Sequence, residues 1–255
     1  MTDPTRAILA GTLAPAAALA TDEALARGGA TRASLLLWRT APAVVLGRFQ
    51  RADWEVDAAA CGERGVAVWR RFTGGGAVYL DGGVVCAALQ LPVGHPDGQA
   101  GIPEMYRPLL DGIVRALAGA GVAAERDERT VRVAGRKVTG IAAHRGRGGT
   151  FVHGTVLVSA DLPALEACIA GPRRGELDGL PRPAPSRPDT VANTGVEGLE
   201  QLLVDAFGAE PDALSDREQE LVEELGGSRY RDAAWHAGPW AAVTPAAVSD
   251  VLGRG

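Results

Sequence analysis

The chain has 255 residues, 46% of them hydrophobic, and a formal net charge of −5. That length and apolar content are enough for one large domain with a real core, and they exclude a disordered or fibrous chain. The acidic balance excludes a general nucleic-acid binder, which carries a basic excess, and favours small molecules or proteins as partners.

Cys61, Cys86 and Cys168 are widely spaced, with no CxxC pair and no metal-type His/Cys cluster, a usage that suits a reducing cytoplasm. The apolar N-terminal stretch contains Asp3, Asp22 and Glu23, which fits a buried helix better than a signal peptide. With no run of about eighteen apolar residues, a soluble, cytoplasmic chain without membrane contact is expected.

The predicted elements begin with a helix near residues 15–28, stopped by Gly28 and Gly29. Strands at 34–39 and 43–49 flank a turn at Ala41-Pro42, and a short helix over 53–65 would be capped by Asp53 and ended by Gly65. Strands at 66–72, 77–81 and 84–92 are separated by glycine turns. Over 103–121, Met105, Leu109, Leu110, Ile113 and Leu117 recur at helical spacing, so this helix should cover the sheet. Strands at 130–135, 137–144 and 150–159 follow, the last two joined by a flexible "RGRGG" tip, then a helix over 161–170 capped by Asp161. The five prolines of "GPRRGELDGLPRPAPSRPD" (171–189) predict a long loop, and 195–227 reads as helical. Strands and helices come in runs rather than in strict βαβ alternation, which makes this an α+β domain.

Two features carry chemistry. "RRFTGGGAVYLD" (70–81) places three glycines between strand-like segments, where the backbone can take positive φ and bring amide donors close to a ligand. It is neither a phosphate-binding Walker loop nor a dinucleotide fingerprint, and a tight hairpin turn is the alternative. Strand alternation sends at most one of Arg70 and Arg71 toward a site beside the glycines. The other should face solvent or a salt bridge, and Arg71 is favoured as the structural one. An arginine beside glycine amides suits a carboxylate or phosphate.

The second feature is Lys137 in "AGRKVTGIA", the only lysine in a chain whose other basic side chains are all arginine. An ammonium is a compact point charge that can follow a moving oxygen, whereas a guanidinium is a rigid planar fork. Composition drift explains the arginines and leaves Lys137 as a position where chemistry demands the ammonium.

Together, "LATDEAL" (19–25), "LWRTAPAVVLGRFQ" (37–50), "RRFTGGGAVYLD" (70–81), "GRKVTGIA" (135–142) and "FVHGTVLVSADL" (151–162) resemble, in order, the motifs of the lipoate-protein ligase A family within the biotin/lipoate protein ligase superfamily. The resemblance covers residues 15–165 well and the tail poorly. It implies a mixed, mostly antiparallel sheet flanked by helices, like class II aminoacyl-tRNA synthetases and biotin ligases. The implied reaction joins lipoate to MgATP as lipoyl-adenylate and then transfers the lipoyl group to a lysine of an acceptor, a 2-oxoacid dehydrogenase E2 lipoyl domain or a glycine-cleavage H protein. It implies that Lys137 contacts the acyl carbonyl and the adenylate phosphate. It also assigns substrate or adenylate contacts to Arg48 in the loop Arg48–Gln50 at the pocket mouth, and to Arg71, Thr73, Gly74, Gly75, Gly76, Ala77, Val78 and Asp81. Thr139, Gly140, His153, Gly154 and Thr155 complete the implied set. Read alone, His153 is better taken as a hydrogen-bonded structural histidine than as a proton carrier.

The pattern is broken where the family has His-Asp followed by Gly-Asn: here Leu80 replaces the histidine and Val84 the asparagine, a change at the nucleotide end. A catalytic domain over 1–240 with a tail at 241–255 is expected, without the accessory domain of larger ligases, which in some relatives is a separate polypeptide. Two alternatives stand beside the ligase. One is an octanoyltransferase that takes its acyl group from acyl carrier protein through Cys168, although Leu162, Leu165, Cys168 and Ile169 share a helical face and a buried thiol is the simpler account. The other is a non-catalytic lipoate binder. Biotin ligation fits less well, because "RGRGG" (145–149) stands at the wrong place for the biotin-ligase loop.

Overall fold

The computed structural model describes residues 5–99, 101–169 and 190–238. The Pro/Arg-rich stretch 171–189 and the tail 241–255 lie outside the described residues. Six strands form the main sheet: β1 (Arg6–Leu13), β2 (Ser34–Thr40), β6 (Val84–Leu91), β10 (Thr139–Gly146), β11 (Gly149–Leu157) and the short β12 (Glu210–Pro211). Their order is β10-β11-β6-β2-β1-β12. The β10/β11, β11/β6 and β2/β6 pairs are antiparallel, and β1 runs parallel to both β2 and β12. A second sheet has the order β4-β3-β5, from β3 (Ala43–Leu46), β4 (Ala67–Arg70) and β5 (Val78–Leu80). The third is an antiparallel set of β7 (Ala124–Arg126), β8 (Val131–Val133) and β9 (Arg136–Lys137). This is the expected α+β architecture with mostly antiparallel pairing.

Side-chain alternation divides the main sheet into two faces. Leu35, Leu37, Val85, Ala87, Val152 and Val156 point to one side, where they pack with Leu109, Leu110, Ile113 and Leu117 of α4 (Ile102–Gly119) and Leu199 and Leu203 of α6 (Leu199–Phe207). The apolar stripe predicted for α4 is buried throughout. Gly112 permits the close approach of α6, since a Cβ there would meet the Phe207 ring at 2.2 Å. Leu36, Trp38, Cys86, Ala88 and Phe151 point to the other side, against α1 (Pro15–Arg27), the second sheet and α7 (Asp216–Gly227).

Several local expectations are corrected. Residues 6–13 form β1, a strand the sequence reading missed among alanines and glycines. The helix expected over 53–65 is two, α2 (Ala52–Glu55) and α3 (Ala58–Arg64), broken at Val56 in extended conformation. Its cap is Asp57, which accepts from the Ala60 amide at 2.9 Å, rather than Asp53, whose carboxylate holds Arg51; Gly65 ends it at φ 63° as expected. The "RGRGG" tip is ordered hairpin, with Gly146 paired to Gly149. The helical reading of 195–227 resolves into α6 and α7, separated by Gly208 at φ 55° and by β12. Ser215 and Glu218 form a capping box at the start of α7, a signal present in "SDRE" that the sequence reading passed over. Asp161 caps α5 (Leu162–Ile169), accepting from the Ala164 amide at 3.0 Å.

Candidate active site

A cavity of about 680 Å³ opens on the α1 face of the sheet. Leu19 and Asp22 of α1, Trp38 of β2, Val45 of β3 and Cys86 of β6 line one part of it. Gly76, Ala77, Val78 and Leu80 close another side, and Arg71, Ala87, Lys137, Gly140, Ile141, Ala142, His153, Gly154 and Thr155 the rest. A neighbouring cavity of about 520 Å³ shares Ala77, Val78, Lys137, Gly140 and Thr155 and adds Thr139, Leu165, Ile169 and Val191. Lys137 therefore stands where the two cavities meet. Its ammonium makes no ion pair with any described residue. Burial, and then Arg132, push its pKa below the ordinary lysine value, while Asp127 acts in the opposite sense.

The glycine loop is built on Arg71. Its guanidinium donates to Gly74 O at 2.6 Å, Gly76 O at 2.8 Å and Val45 O at 3.1 Å, and its Nε donates to Thr73 Oγ1 at 3.0 Å. Because peptides are planar and trans, carbonyls turned toward Arg71 send the amides of Gly75 and Ala77 the opposite way. Gly75 sits at φ +91°, and a Cβ on Gly47 would lie 2.1 Å from Gly75 O, so both glycines are needed for loop and strand to pack. Arg71 borders the cavity, but these donors are committed to the loop.

Arg70 corrects the expectation that one member of the pair would face solvent or a salt bridge. It is 1% exposed and donates to the carbonyls of Gly47, Arg48, Gln50, His236 and Ala237. Among the described residues it meets no carboxylate. Burial lowers both guanidiniums to about 10, which leaves them charged at neutral pH. Arg70 thus ties loop 47–50 and α8 (Ala233–Ala237) to the strand that enters the glycine loop.

A polar chain crosses the α1 side of the cavity. Trp38 Nε1 donates to Asp22 Oδ1 at 2.8 Å, Asp22 Oδ2 faces His153 Nδ1 at 2.9 Å, and His153 Nε2 faces Thr73 Oγ1 at 2.7 Å. Since Arg71 donates to Thr73, the threonine hydrogen is available to His153 Nε2, and the Nδ1 hydrogen to Asp22. Both ring nitrogens of His153 are thus hydrogen-bonded.

The implied site residues separate accordingly. Gly76, Ala77, Val78, Gly140, His153, Gly154 and Thr155 come together with Lys137 around the cavities, with Thr139 in the adjoining one. Thr73, Gly74 and Gly75 lie behind Gly76 and do not line the walls. Asp81 gives one carboxylate oxygen to the Gly83 amide at 2.7 Å and the other to the Asp161 amide at 2.8 Å, holding a turn outside both cavities. Of the two departures, Leu80 forms part of the cavity wall, while Val84 is fully buried in β6 opposite Leu157. Arg48 is exposed and lies over the rings of Phe49 and Trp235, in a separate cleft.

Cys168 is fully buried, lines neither cavity, and has its thiol pKa raised, first by burial. Sequence reasoning did not assign Leu19, Asp22 or Trp38 to the site. The available signal was a carboxylate three residues after Leu19 on a helix buried from Ala18 to Ala26, since a buried charge needs a partner.

The mixed sheet thus carries a cavity on one face, with an ammonium unpaired by any described residue and a glycine loop along its wall. The chain belongs to the lipoyl protein ligase A/B catalytic domain family, whose model matches residues 14–207. It is 28% identical over 244 residues to lipoate-protein ligase A subunit 1 of Thermoplasma acidophilum, covering 86% of this chain and 91% of that one. A crystal structure of lipoate-protein ligase A bound with ATP superposes with a TM-score of 0.79 at 24% identity, covering 92% of this chain and 99% of the other. A bi-partite lipoate protein ligase from Thermoplasma acidophilum, studied with its E2 lipoyl domain, superposes with a TM-score of 0.78 at 25% identity, covering 92% and 96%.

Proposed function

We propose that this chain is a lipoate-protein ligase that works through lipoyl-adenylate. A lipoate carboxylate oxygen attacks the α-phosphorus of ATP, a new P–O bond forms, and pyrophosphate leaves with the electrons of the broken phosphoanhydride. The neutral Nζ of an acceptor lysine then attacks the lipoyl carbonyl. A C–N bond forms, AMP departs with the C–O electrons, and the amine proton passes to solvent.

The observation that carries this reading is Lys137 at the junction of two adjoining cavities, its ammonium unpaired by any described residue. Negative charge gathers on the α-phosphate oxygens as the carboxylate attacks, and on the acyl carbonyl oxygen and the departing phosphate as the amine attacks. A preorganised cation between them stabilises each transition state, by about 3–4 kcal/mol if it matches an oxyanion-hole donor. The apolar cavity bounded by Leu19, Trp38, Val45 and Leu80 would take the lipoyl chain. The adjoining one, lined by Tyr79, Leu157, Leu165 and Val191, would take the nucleoside. Gly76, Ala77, Val78, Thr139, Gly140, Gly154 and Thr155 would shape these walls, with Thr73, Gly74 and Gly75 supporting the loop through Arg71 and with His153 fixed by Asp22.

Magnesium would enter with the phosphates of the nucleotide, as is usual for this ion; among the described residues no three His, Cys, Asp or Glu side chains gather to hold a metal. The proposed acceptor is the lipoyl domain of a 2-oxoacid dehydrogenase E2 or a glycine-cleavage H protein. The relatives named as a subunit 1 and as bi-partite support a second polypeptide that assists adenylation. No helix among the described residues is long and apolar enough to cross a membrane.

Intact-mass analysis of an apo lipoyl domain incubated with the chain tests the reading. ATP plus lipoate should add one lipoyl group, and octanoyl carrier protein without ATP should add nothing. Modification only from the carrier protein, lost in Cys168→Ala, would contradict it. Failure with ATP plus lipoate, rescued by synthetic lipoyl-adenylate, would assign activation to a partner subunit.

A further inference from the structure

A second cleft, of about 710 Å³, lies farther along the same face, around Arg27, Arg48, Arg147, Arg229, Glu23 and His144. Gly140 and Ala142 of β10 border the acyl-type cavity, and His144, on the same side of the strand, borders this one. His144 is about 13 Å beyond Gly140 at strand rise. The Phe72 and His144 rings, in edge contact with centroids 5.3 Å apart, both line this cleft. The two linings share no residue, so the cleft is a separate feature.

In a chain of net charge −5, the charge of this cleft is reversed. Glu23 is its one carboxylate, and it is saturated, paired to Arg27 and Arg229 and accepting from Tyr230 Oη at 2.8 Å. Arg48 and Arg147 pair with no carboxylate among the described residues. The Arg48 fork lies over aromatic rings, and the backbone that carries Arg147 is fixed from a separate element. Arg48 has its guanidinium carbon 5.5 Å from the Phe49 ring centroid and 5.9 Å from that of Trp235. Arg147 sits at the turn joining β10 and β11, which is fixed by Gln90 Nε2 donating to Gly148 O at 2.7 Å. The turn lies so close to the end of α1 that a Cβ on Gly148 would come within 2.3 Å of Ala26 O.

Beside Arg48, Phe49 is 69% exposed. Arginine forks match carboxylates in geometry, and arginine with exposed aromatic rings is a combination enriched where proteins meet. Two unpaired forks on opposite elements, beside an exposed ring, suit spaced carboxylates on a polypeptide better than one small anion. Resting on the ligase reading above, we propose that this cleft docks a carboxylate-rich segment of the acceptor protein, with Arg48 and Arg147 as its charged contacts and Phe49 as its apolar one.

The test uses the full chain, an apo lipoyl domain and synthetic lipoyl-adenylate. Arg48→Glu and Arg147→Glu should each raise the KM for the acceptor about tenfold or more, and the wild-type KM should rise with ionic strength. Lipoate- and ATP-dependent pyrophosphate release without acceptor should be unchanged in Arg147→Glu, and thermal melts should match wild type. An acceptor KM within twofold of wild type in both variants overturns the proposal.

A second arm does not depend on the ligase reading. A fluorescein-labelled hexaglutamate peptide should bind the wild-type chain at low salt by anisotropy, and binding should be lost in both variants. No binding to wild type, or displacement by pyrophosphate at lower concentration than by unlabelled peptide, overturns docking, the latter in favour of a small-anion site. An acceptor that is never modified, with variant-sensitive peptide binding intact, counts against the ligase reading and supports the cleft.

Discussion

The two faces of the main sheet come from the same strands, one residue apart, and do different work. On the α4/α6 face the buried apolar side chains of the strands form one hydrophobic cluster with the helices, and Arg39 reaches Glu200 of α6 beside it. On the α1 face the alternate residues of those strands include Trp38, Cys86 and His153, and the facing helix buries Asp22 and Glu23. Burying those charges costs free energy unless each is paired. The polar chain through Asp22 and the cluster around Glu23 meet that requirement and leave a cavity between helix and sheet. One face therefore supplies stability and the other gives up packing for a site.

Mutations on each face should separate these roles. The largest expected effect on activity is from Lys137→Arg, which should slow lipoyl transfer by about a hundredfold or more, the range for a lost oxyanion-hole donor, without lowering the melting temperature. On the opposite face, Ile113→Ala should lower unfolding free energy by about 2–5 kcal/mol, read by urea denaturation, while the folded fraction keeps its KM for lipoate. A loss of lipoate affinity in Ile113→Ala, or of stability in Lys137→Arg, would break the division.

Asp22→Asn sits between these extremes. It removes a carboxylate that accepts from both Trp38 and His153, so stability should fall by about 1–3 kcal/mol, and the KM for lipoate should rise because Trp38 and His153 both border the cavity. A smaller effect is pH-dependent. Lys137 has a pKa below its ordinary 10.5, so between the folded and unfolded values the unfolded chain binds more protons. Stability should rise with pH through that window while transfer falls, and Lys137→Met should remove the stability slope.

The smallest effect concerns His236, whose Nδ1 accepts from the Arg70 amide at 3.1 Å and whose Nε2 faces Tyr230 O at 3.2 Å. Burial lowers its pKa below the ordinary 6.5, so its neutral form contributes stability above that value. As pH falls from about 6.5 through the folded pKa, that contribution should be lost. An acid limb of the melting temperature shallower in His236→Gln than in wild type would show it.

Much of this was legible in the sequence, and the exceptions share causes. Long segments such as α4 and the strand pair β10 and β11 were readable, and in α4 burial on one side writes a helical period. Composition alone singled out Lys137, which stands where the two cavities meet. The strand β1 was missed because its burial, three buried residues followed by a largely exposed half, writes no strand period, and its pairing is parallel to β2, a long-range fact. Asp81 and Arg48 lie in the family motifs, yet their roles depend on where a turn directs each side chain: Asp81 to the amides of Gly83 and Asp161, and Arg48 to a neighbouring cleft. Strand alternation placed Arg70 and Arg71 on opposite sides, but it could not foresee that clustered carbonyls would satisfy both.

The central claim, that one unpaired ammonium on the α1 face serves acyl-adenylate chemistry, is tested most directly by the intact mass of an apo lipoyl domain given synthetic lipoyl-adenylate and either the wild-type chain or Lys137→Arg. The account predicts rapid addition of one lipoyl group by wild type and addition at or near the uncatalysed rate by Lys137→Arg, with both proteins melting alike. Equal rates from the two proteins would contradict it.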